Sequence, residues 1–485
     1  MSIDVTTGAD APADRLHHGA LGVPNIVFLV LAGAAPMGAM VGALPLVVAL
    51  GDGGGAPGAY LFAALALAAF AVGYAAMSRH VSNAGAFYAY IGQGLGRPAG
   101  VGAAYVAVIA YNAVVCGVLA ALGAFAAPIF NDQFGIDLAW YVWSGIAFAI
   151  VALLAYRRIE LSARVLGVAL VIEVLILLVM DVGILLDGRA SFSLTSFSPS
   201  TVFDVAPGVA FLFAFNSFIG FEATAIFSEE ARDPQRTIPR ATYAAIALIG
   251  VFYAFTSWCV VSFYGADAVQ ATATKHIDTF IFTANTAAVG SFTTDLMQIF
   301  LVTSFFAALL ALHNSAARYH FALGREGVLP RKLAHTHPRY GSPVVGSAVG
   351  LVAIAIPIVA VAIAGSDPYL DLGAIALALG TIGILALQAA ASFAVIGYFR
   401  RRPVEAPSPW VHTIAPAIGG VTLGAALYLG IDNWSLLTGV ASGWQTQLPW
   451  IVAAGFVAGV AWALAIRRRD PAAYARLTHG THDLD

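Results

Sequence analysis

The sequence predicts an all-α polytopic membrane protein of twelve transmembrane helices, ten of them forming two inverted five-helix halves in which helices 1 and 6 are broken. Three observations predict it. Of the 485 residues, 60% are hydrophobic and only 10% charged, with a mean hydropathy of +0.84, whereas a soluble domain carries about 25% charged residues. Twelve apolar stretches are each long enough to cross a hydrocarbon core that needs about 20 helical residues. The basic residues then segregate to one side of a twelve-span topology, as Lys and Arg in short cytoplasmic loops do.

The spans fall at 23–50, 58–78, 98–130, 138–156, 161–186, 205–228, 240–264, 291–317, 344–364, 372–399, 411–430 and 448–466. No connection between them has room for an aqueous domain, so the function is expected within the membrane part. With both termini cytoplasmic, the inner segments hold all of the 23 Lys and Arg except Arg189 and Lys275. A span miscounted in mid-chain would scatter these charges. The expected organisation is a retained cytoplasmic tail (1–22), since no signal peptide is evident there, a core of helices 1–10 (23–399) with repeats at about 23–186 and 205–399, helices 11 and 12 (400–466), and a cytoplasmic tail (467–485).

The first span contains Gly33-Ala34-Ala35-Pro36-Met37-Gly38 near its centre. Proline removes a backbone donor and clashes with the preceding turn, so residues 33–38 are its weakest helical part. Five spans later, the sixth is interrupted at Gly220-Phe221-Glu222 and leads toward Arg232, Arg236 and Arg240. Unpaired backbone groups at membrane depth cost several kcal/mol and survive only where protein or a cavity satisfies them. Interrupted spans at equivalent places in two halves point to a transporter site; mere kinks are the alternative reading.

At such a double break the second half of span one presents free N–H groups and a positive dipole end, while the outer half of span six ends in free carbonyls. That geometry suits a zwitterion, carboxylate to the N–H groups and ammonium to the carbonyls. The expected substrate-binding residues are Ala34, Ala35, Pro36, Met37, Gly38 and Ala39, with Phe215, Asn216, Ser217, Phe218, Ile219 and Gly220. Glu222 is the first candidate for ion coupling and Glu173, in mid-span five, the second, because an ionisable residue inside a span is a functional hypothesis by default. A structural carboxylate bonded to nearby backbone or hydroxyl is the competing reading of Glu222. Asp181 in span five and His313 in span eight are expected to pack against other helices, and Tyr105, Tyr111 and Asn112 to face a cavity or their neighbours.

Several classes are disfavoured. The net charge of −3 does not argue for nucleic acid, and Cys116 and Cys259 lie inside apolar spans, as packing residues do. His335 and His337 lack the acidic or cysteine partners of a metal site. No cofactor, catalytic group or metal ligand is expected: there is no zincin or nucleotide-binding motif and no repeated filter segment of a channel.

Beyond Gly220-Phe221-Glu222, the chain reads Ser228-Glu229-Glu230-Ala231-Arg232-Asp233-Pro234-Gln235-Arg236-Thr237-Ile238-Pro239-Arg240-Ala241. After span two comes Ser82-Asn83-Ala84-Gly85-Ala86-Phe87-Tyr88-Ala89-Tyr90. Around the end of span eight stand Asn314, Arg318 and Phe321-Ala322-Leu323-Gly324-Arg325-Glu326-Gly327-Val328-Leu329-Pro330. In these motifs, and along nearly its whole length, the chain resembles the amino acid permeases of the amino acid/polyamine/organocation (APC) superfamily. The resemblance implies a LeuT-like five-plus-five repeat with two added helices, substrate held between broken helices 1 and 6, and uptake driven by protons or sodium, or solute exchange. Many members carry a Gly-Ser-Gly type segment in helix 1, where this chain has Gly38-Ala39-Met40. Some proton-coupled members use a lysine in helix 5, which this chain lacks; Glu222 matches the family's helix-6 acid.

The expected protein is thus a secondary transporter of a bacterial-type inner membrane, importing an amino acid or related amine by alternating access with proton coupling. Its partners are that small molecule, the ion and the lipid bilayer. An amino acid or amine exchanger is the second reading and a polytopic membrane enzyme the third.

Overall fold

The computed structural model describes residues 22–81, 87–157, 163–222, 224, 231–403, 407–440 and 442–477. The terminal tails 1–21 and 478–485, the motif residues 82–86, Arg158, and residues Ser228, Glu229 and Glu230 after the sixth-span break lie outside the described residues.

Apolar stretches of helix length form helices because in hydrocarbon each backbone N–H must be paired within its own segment. The helices are α1 (Val23–Ala34), α2 (Gly38–Leu50), α3 (Ala56–Met77), α4 (Phe87–Leu95), α5 (Arg97–Phe134), α6 (Trp140–Arg157), α7 (Ala163–Leu186), α8 (Pro207–Asn216), α9 (Pro234–Tyr264), α10 (Ser291–Arg325), α11 (Val344–Ala364), α12 (Ile375–Arg401), α13 (Ala415–Asp432), α14 (Pro449–Arg469) and α15 (Pro471–Arg476). No β-strand occurs among the described residues.

Among the described residues, ten helices are long and apolar enough to cross a membrane: α3, α5, α6, α7 and α9 to α14. They coincide with the second to fifth and seventh to twelfth apolar spans. The first and sixth spans are not single long helices; each is divided, and α1, α2 and α8 are too short to cross alone.

Two boundaries move, for reasons visible in the chain. α9 begins at Pro234 rather than 240, since proline suits the first helical turn, where its missing N–H would be unpaired in any case. α10 runs on to Arg325 rather than ending at 317, so Arg318, Tyr319 and His320 are helical.

α5 is the central post, packed against α14, α12, α10 and α4, while α3 packs along α9. The faces of α11 at Val352, Ile356 and Ile363 are exposed and apolar, as a lipid-facing surface is. The glycine-rich stretch 51–58, which connects the first two spans, is buried throughout and packs on the connection before α8. Small residues are required there: a Cβ on Gly55 would fall 2.4 Å from the Thr201 carbonyl oxygen, closer than atoms approach.

Within this stretch Asp52 joins the end of the first span to the start of the sixth. Its Oδ1 accepts hydrogen bonds from the Val205 N–H (3.0 Å) and the Ala206 N–H (2.7 Å), immediately before α8. Burial pushes the Asp52 carboxyl up to about 6, against the two N–H bonds that pull it down. Because its folded value lies above the ordinary 3.8, its contribution to stability is complete below that value and is lost as pH rises through 6. Thermal unfolding of Asp52→Asn should therefore lack a decline between pH 4 and 7 that the wild type shows; identical profiles would contradict this assignment.

The charge segregation yields a second check. Asp137 and Ala472 are exposed, and the two native cysteines are buried. Asp137→Cys should react with an impermeant maleimide on intact cells and Ala472→Cys only after permeabilisation. The reverse pattern would invert the orientation.

Candidate functional site

α1 ends because Ala35 takes a left-handed conformation (φ 45°), the only positive φ at a non-glycine among the described residues. That conformation costs an L-residue about 1–2 kcal/mol. Pro36 then starts the second half-helix, whose first turns are widened into a π-helix over Gly38–Ala43; such widened turns are frequent at functional sites. The break expected at 33–38 is there, concentrated in one residue.

α8 ends at Asn216, and residues 217–222 are turns around Gly220, with φ 119°. The two breaks touch backbone to backbone. A Cβ on Gly220 would stand 3.3 Å from both the Ala34 nitrogen and the Gly33 carbonyl carbon, so glycine is needed there for both conformation and approach.

The polar groups that the breaks release find partners on distant helices. Tyr253 of α9 donates its hydroxyl to the Ala34 carbonyl at 3.1 Å, and Tyr74 of α3 donates to the Glu222 carbonyl at 3.0 Å. The Ser217 hydroxyl donates back to the Phe213 carbonyl (3.0 Å) and lies 3.3 Å from the Tyr60 hydroxyl. Tyrosine serves because its ring is apolar and its tip polar.

Glu222 is fully buried. One carboxylate oxygen accepts from the Tyr111 hydroxyl of α5 at 2.9 Å and the other from the Gly220 N–H at 3.1 Å. It thus braces its own break, as the structural reading of this residue foresees, and does not line the cavity beside it. Glu173 of α7 reaches further than its position in sequence suggested: its carboxyl group lies against the Met37 N–H and the Ser304 hydroxyl of α10. The Gly38 N–H points to the same Ser304 oxygen at 3.4 Å. The N-terminal end of the second half-helix, where a substrate carboxylate was expected, is therefore held by a carboxylate and a hydroxyl of the chain itself.

Between the breaks lies a cavity of about 50 Å³. Ala34, Ala35, Gly38 and Ala39 line it from one side, and Asn216, Ser217 and Ile219 from the other. Pro36, Met37, Phe215, Phe218 and Gly220 are not among its lining residues; Phe218 turns to the Tyr253 ring, 5.7 Å away. Asn216 is steadied by a 3.1 Å bond to the Thr381 hydroxyl of α12. The two aromatic wall residues, Phe305 of α10 and Tyr369, just before α12, are among those that escaped sequence reasoning. Phe305 presses on the glycine face of α2, where a Cβ on Gly42 would fall 2.7 Å from its ring. The only sequence signal for it was the Gly38–Gly42 spacing of one turn.

Tyr369 donates its hydroxyl to the Gly42 carbonyl. Phe125 packs on both rings, 5.8 Å from Phe305 and 5.1 Å from Tyr369. Beyond Tyr369 is a larger cavity of about 380 Å³ that includes Asp132, Asp278 and Asp367. The three aromatic rings form the partition. The inner cavity is below the roughly 300–1,000 Å³ of a ligand pocket, so this arrangement is contracted around the site.

Of the other sequence candidates, Tyr105 faces a different cavity near the arginine-rich end, and Asp181 pairs with the Thr256 hydroxyl at 2.7 Å. His313 bonds the Ser347 hydroxyl at 2.8 Å and Asn112 lies 3.4 Å from the His320 ring, so these are helix-packing contacts. Among the described residues no group of three His, Cys, Asp or Glu is arranged to hold a metal.

A polytopic helical membrane protein, with two broken segments meeting at a small cavity closed by aromatic rings, belongs to the class of membrane transport proteins. The model of the amino acid permease family matches residues 25–407, and the chain is a member of that family. It is 25% identical over 408 residues to the low-affinity putrescine importer of Escherichia coli K12, covering 80% of this chain and 83% of that protein. It is 26% identical over 307 residues to the branched-chain amino acid permease of Lactococcus lactis subsp. cremoris, covering 58% of this chain and 63% of that protein. An uncharacterized transporter of Mycobacterium tuberculosis is 28% identical over 332 residues, or 62% of this chain and 66% of its own.

Gly220→Ala tests the contact between the breaks. It should lower stability by about 1–3 kcal/mol and abolish transport, whereas Gly424→Ala, where an added Cβ meets nothing within 4 Å, should be neutral. Equal melting temperatures and uptake for the two variants would contradict the contact.

Proposed function

We propose that the protein is a secondary active transporter that imports an amino acid or related amine across the cytoplasmic membrane by alternating access, coupled to protons. One observation carries the reading: two helix breaks, five spans apart in sequence, meet backbone to backbone beside a cavity. In this reading the chain crosses twelve times, helices 1–5 and 6–10 are inverted repeats, and both termini are cytoplasmic. The family and the two named relatives, one importing putrescine and one a permease for branched-chain amino acids, support the substrate class.

The substrate occupies the space between residues 34–39 and 215–220. Its ammonium group meets backbone carbonyls and Asn216, and its apolar part meets Ala39, Ile219 and Phe305. Entry requires the Phe125–Phe305–Tyr369 partition to part, since about 50 Å³ is too little for an amino acid. Closing it again, while the opposite side opens, provides the alternation.

Glu173 supplies the coupling step, and Glu222 the brace that must follow it. Where the substrate is an amino acid, its carboxylate arriving at the Met37 N–H displaces the Glu173 carboxylate, which cannot remain charged and unpaired in an apolar surround and takes a proton. Substrate and proton then bind together. Glu222, tied to Tyr111 on α5, transmits the rearrangement of the break to the central post and is the second titratable group on the route.

Uptake into liposomes under an imposed pH gradient is the test. Wild type should accumulate at least one amino acid or amine, and Glu173→Gln should still bind it but lose the dependence on the gradient. Glu222→Gln should reduce uptake at least tenfold. Failure to accumulate any amino acid or amine would overturn the transport reading; full pH dependence in Glu173→Gln would overturn the coupling role. Uptake that requires internal substrate would favour an exchanger.

A further inference from the structure

At the arginine-rich end of the molecule lies a cavity of about 780 Å³. Its apolar wall is Val328, Trp462 and Ile466, and its polar rim carries Arg325, Arg331 and Arg469. The volume is that of a ligand pocket, and the substrate route described above does not use it. We propose that this cavity is a binding site for the phosphate headgroup of an anionic phospholipid.

The charge balance favours an anion. Glu326 and Asp470 also line the cavity, but each is engaged by the chain. Glu326 accepts from the Tyr88 hydroxyl at 2.6 Å, and Asp470 accepts from the Ala473 N–H at 2.8 Å as the cap of α15. Arg331 and Arg469 are exposed, and among the described residues neither guanidinium has an ion-pair or hydrogen-bond partner. Two forked guanidinium groups at one opening fit phosphate oxygens, which they hold in pairs.

The position favours a lipid over a soluble anion. Arg469 ends α14 in the run Arg467-Arg468-Arg469, so the rim stands where the apolar span stops. Trp462 is 40% exposed and its indole N–H is fixed on the Val328 carbonyl at 3.0 Å, the posture of an aromatic side chain at a membrane interface. Basic pockets between transmembrane helices on the cytoplasmic side recognise such headgroups.

A lipid seated here bridges α14 and the residues after α10. α15 joins the same assembly, because Arg97 at the start of α5 donates to the Leu477 and Ala475 carbonyls at 3.2 and 3.0 Å. Bound lipid should thus stabilise the folded protein by linkage.

Thermal unfolding of the purified full-length protein in detergent tests the proposal, with phosphatidylglycerol, phosphatidylcholine or inorganic phosphate added. Phosphatidylglycerol alone should raise the melting temperature by several degrees. Arg331→Gln/Arg469→Gln should weaken that response at least tenfold in lipid concentration, and Arg232→Gln, away from the cavity, should leave it intact. Native mass spectrometry of the wild type should in parallel show retained phosphatidylglycerol, which keeps the test decisive should the double variant not fold. An equal rise with phosphatidylcholine, an equal rise with phosphate alone, an undiminished response in the double variant, or no retained anionic lipid would each overturn the proposal.

Discussion

The structure turns on one constraint: a helix broken inside hydrocarbon must have its released N–H and carbonyl groups satisfied by other parts of the protein. Each such group costs several kcal/mol if left unpaired. The breaks at Ala35 and at 217–222 meet this demand with side chains from α3, α5, α7, α9 and α10. Tyr253 takes the Ala34 carbonyl, Tyr74 the Glu222 carbonyl, Glu222 the Gly220 N–H and Ser304 the Gly38 N–H, while the Glu173 carboxyl group lies against the Met37 N–H. Five helices are thereby fastened to two breaks. Any movement of either break must rearrange those bonds together, which links a local binding event to the whole bundle.

The same constraint shapes the chemistry of the site. An ordinary helix end between lipid-facing helices would carry open dipole charges; here they are taken up by groups able to exchange partners. Ser304 and Glu173 sit at the positive end of α2, where a carboxylate is favoured. In the proposed function, the internal carboxylate at that seat gives way to the substrate before the contracted arrangement opens. The aromatic partition adds a second condition, because Tyr369 is bonded to the Gly42 carbonyl of that same half-helix.

Much of this was legible in the sequence. Hydropathy located the ten long helices, because a helix in lipid must be apolar over its whole crossing. Proline at position 36 and glycine at 220 disclosed the two breaks, since these residues are the weakest helix formers. The partners of the breaks were not legible. Tyr111 meets Glu222 across 111 residues and Tyr253 meets Ala34 across 219, and helices apolar on every side carry no periodic signal of which face turns inward. The place of Glu173 against Met37, and the closure by Phe305 and Tyr369, depend on such helix rotations. The packing of the glycines at 51–58 was hidden for a related reason: glycine marks both open turns and tight packing, and only the neighbours at Thr201 and Val202 decide between them.

The central claim is that substrate binds between the two breaks and takes the seat that Glu173 holds. Structure determination by electron cryo-microscopy on the protein saturated with its transported substrate tests it most directly. The account predicts ligand density touching Ala35 and Asn216, with the Glu173 carboxylate withdrawn from the Met37 N–H and the partition at Tyr369 displaced. Ligand density at another location, with Glu173 still against the Met37 N–H, would contradict it.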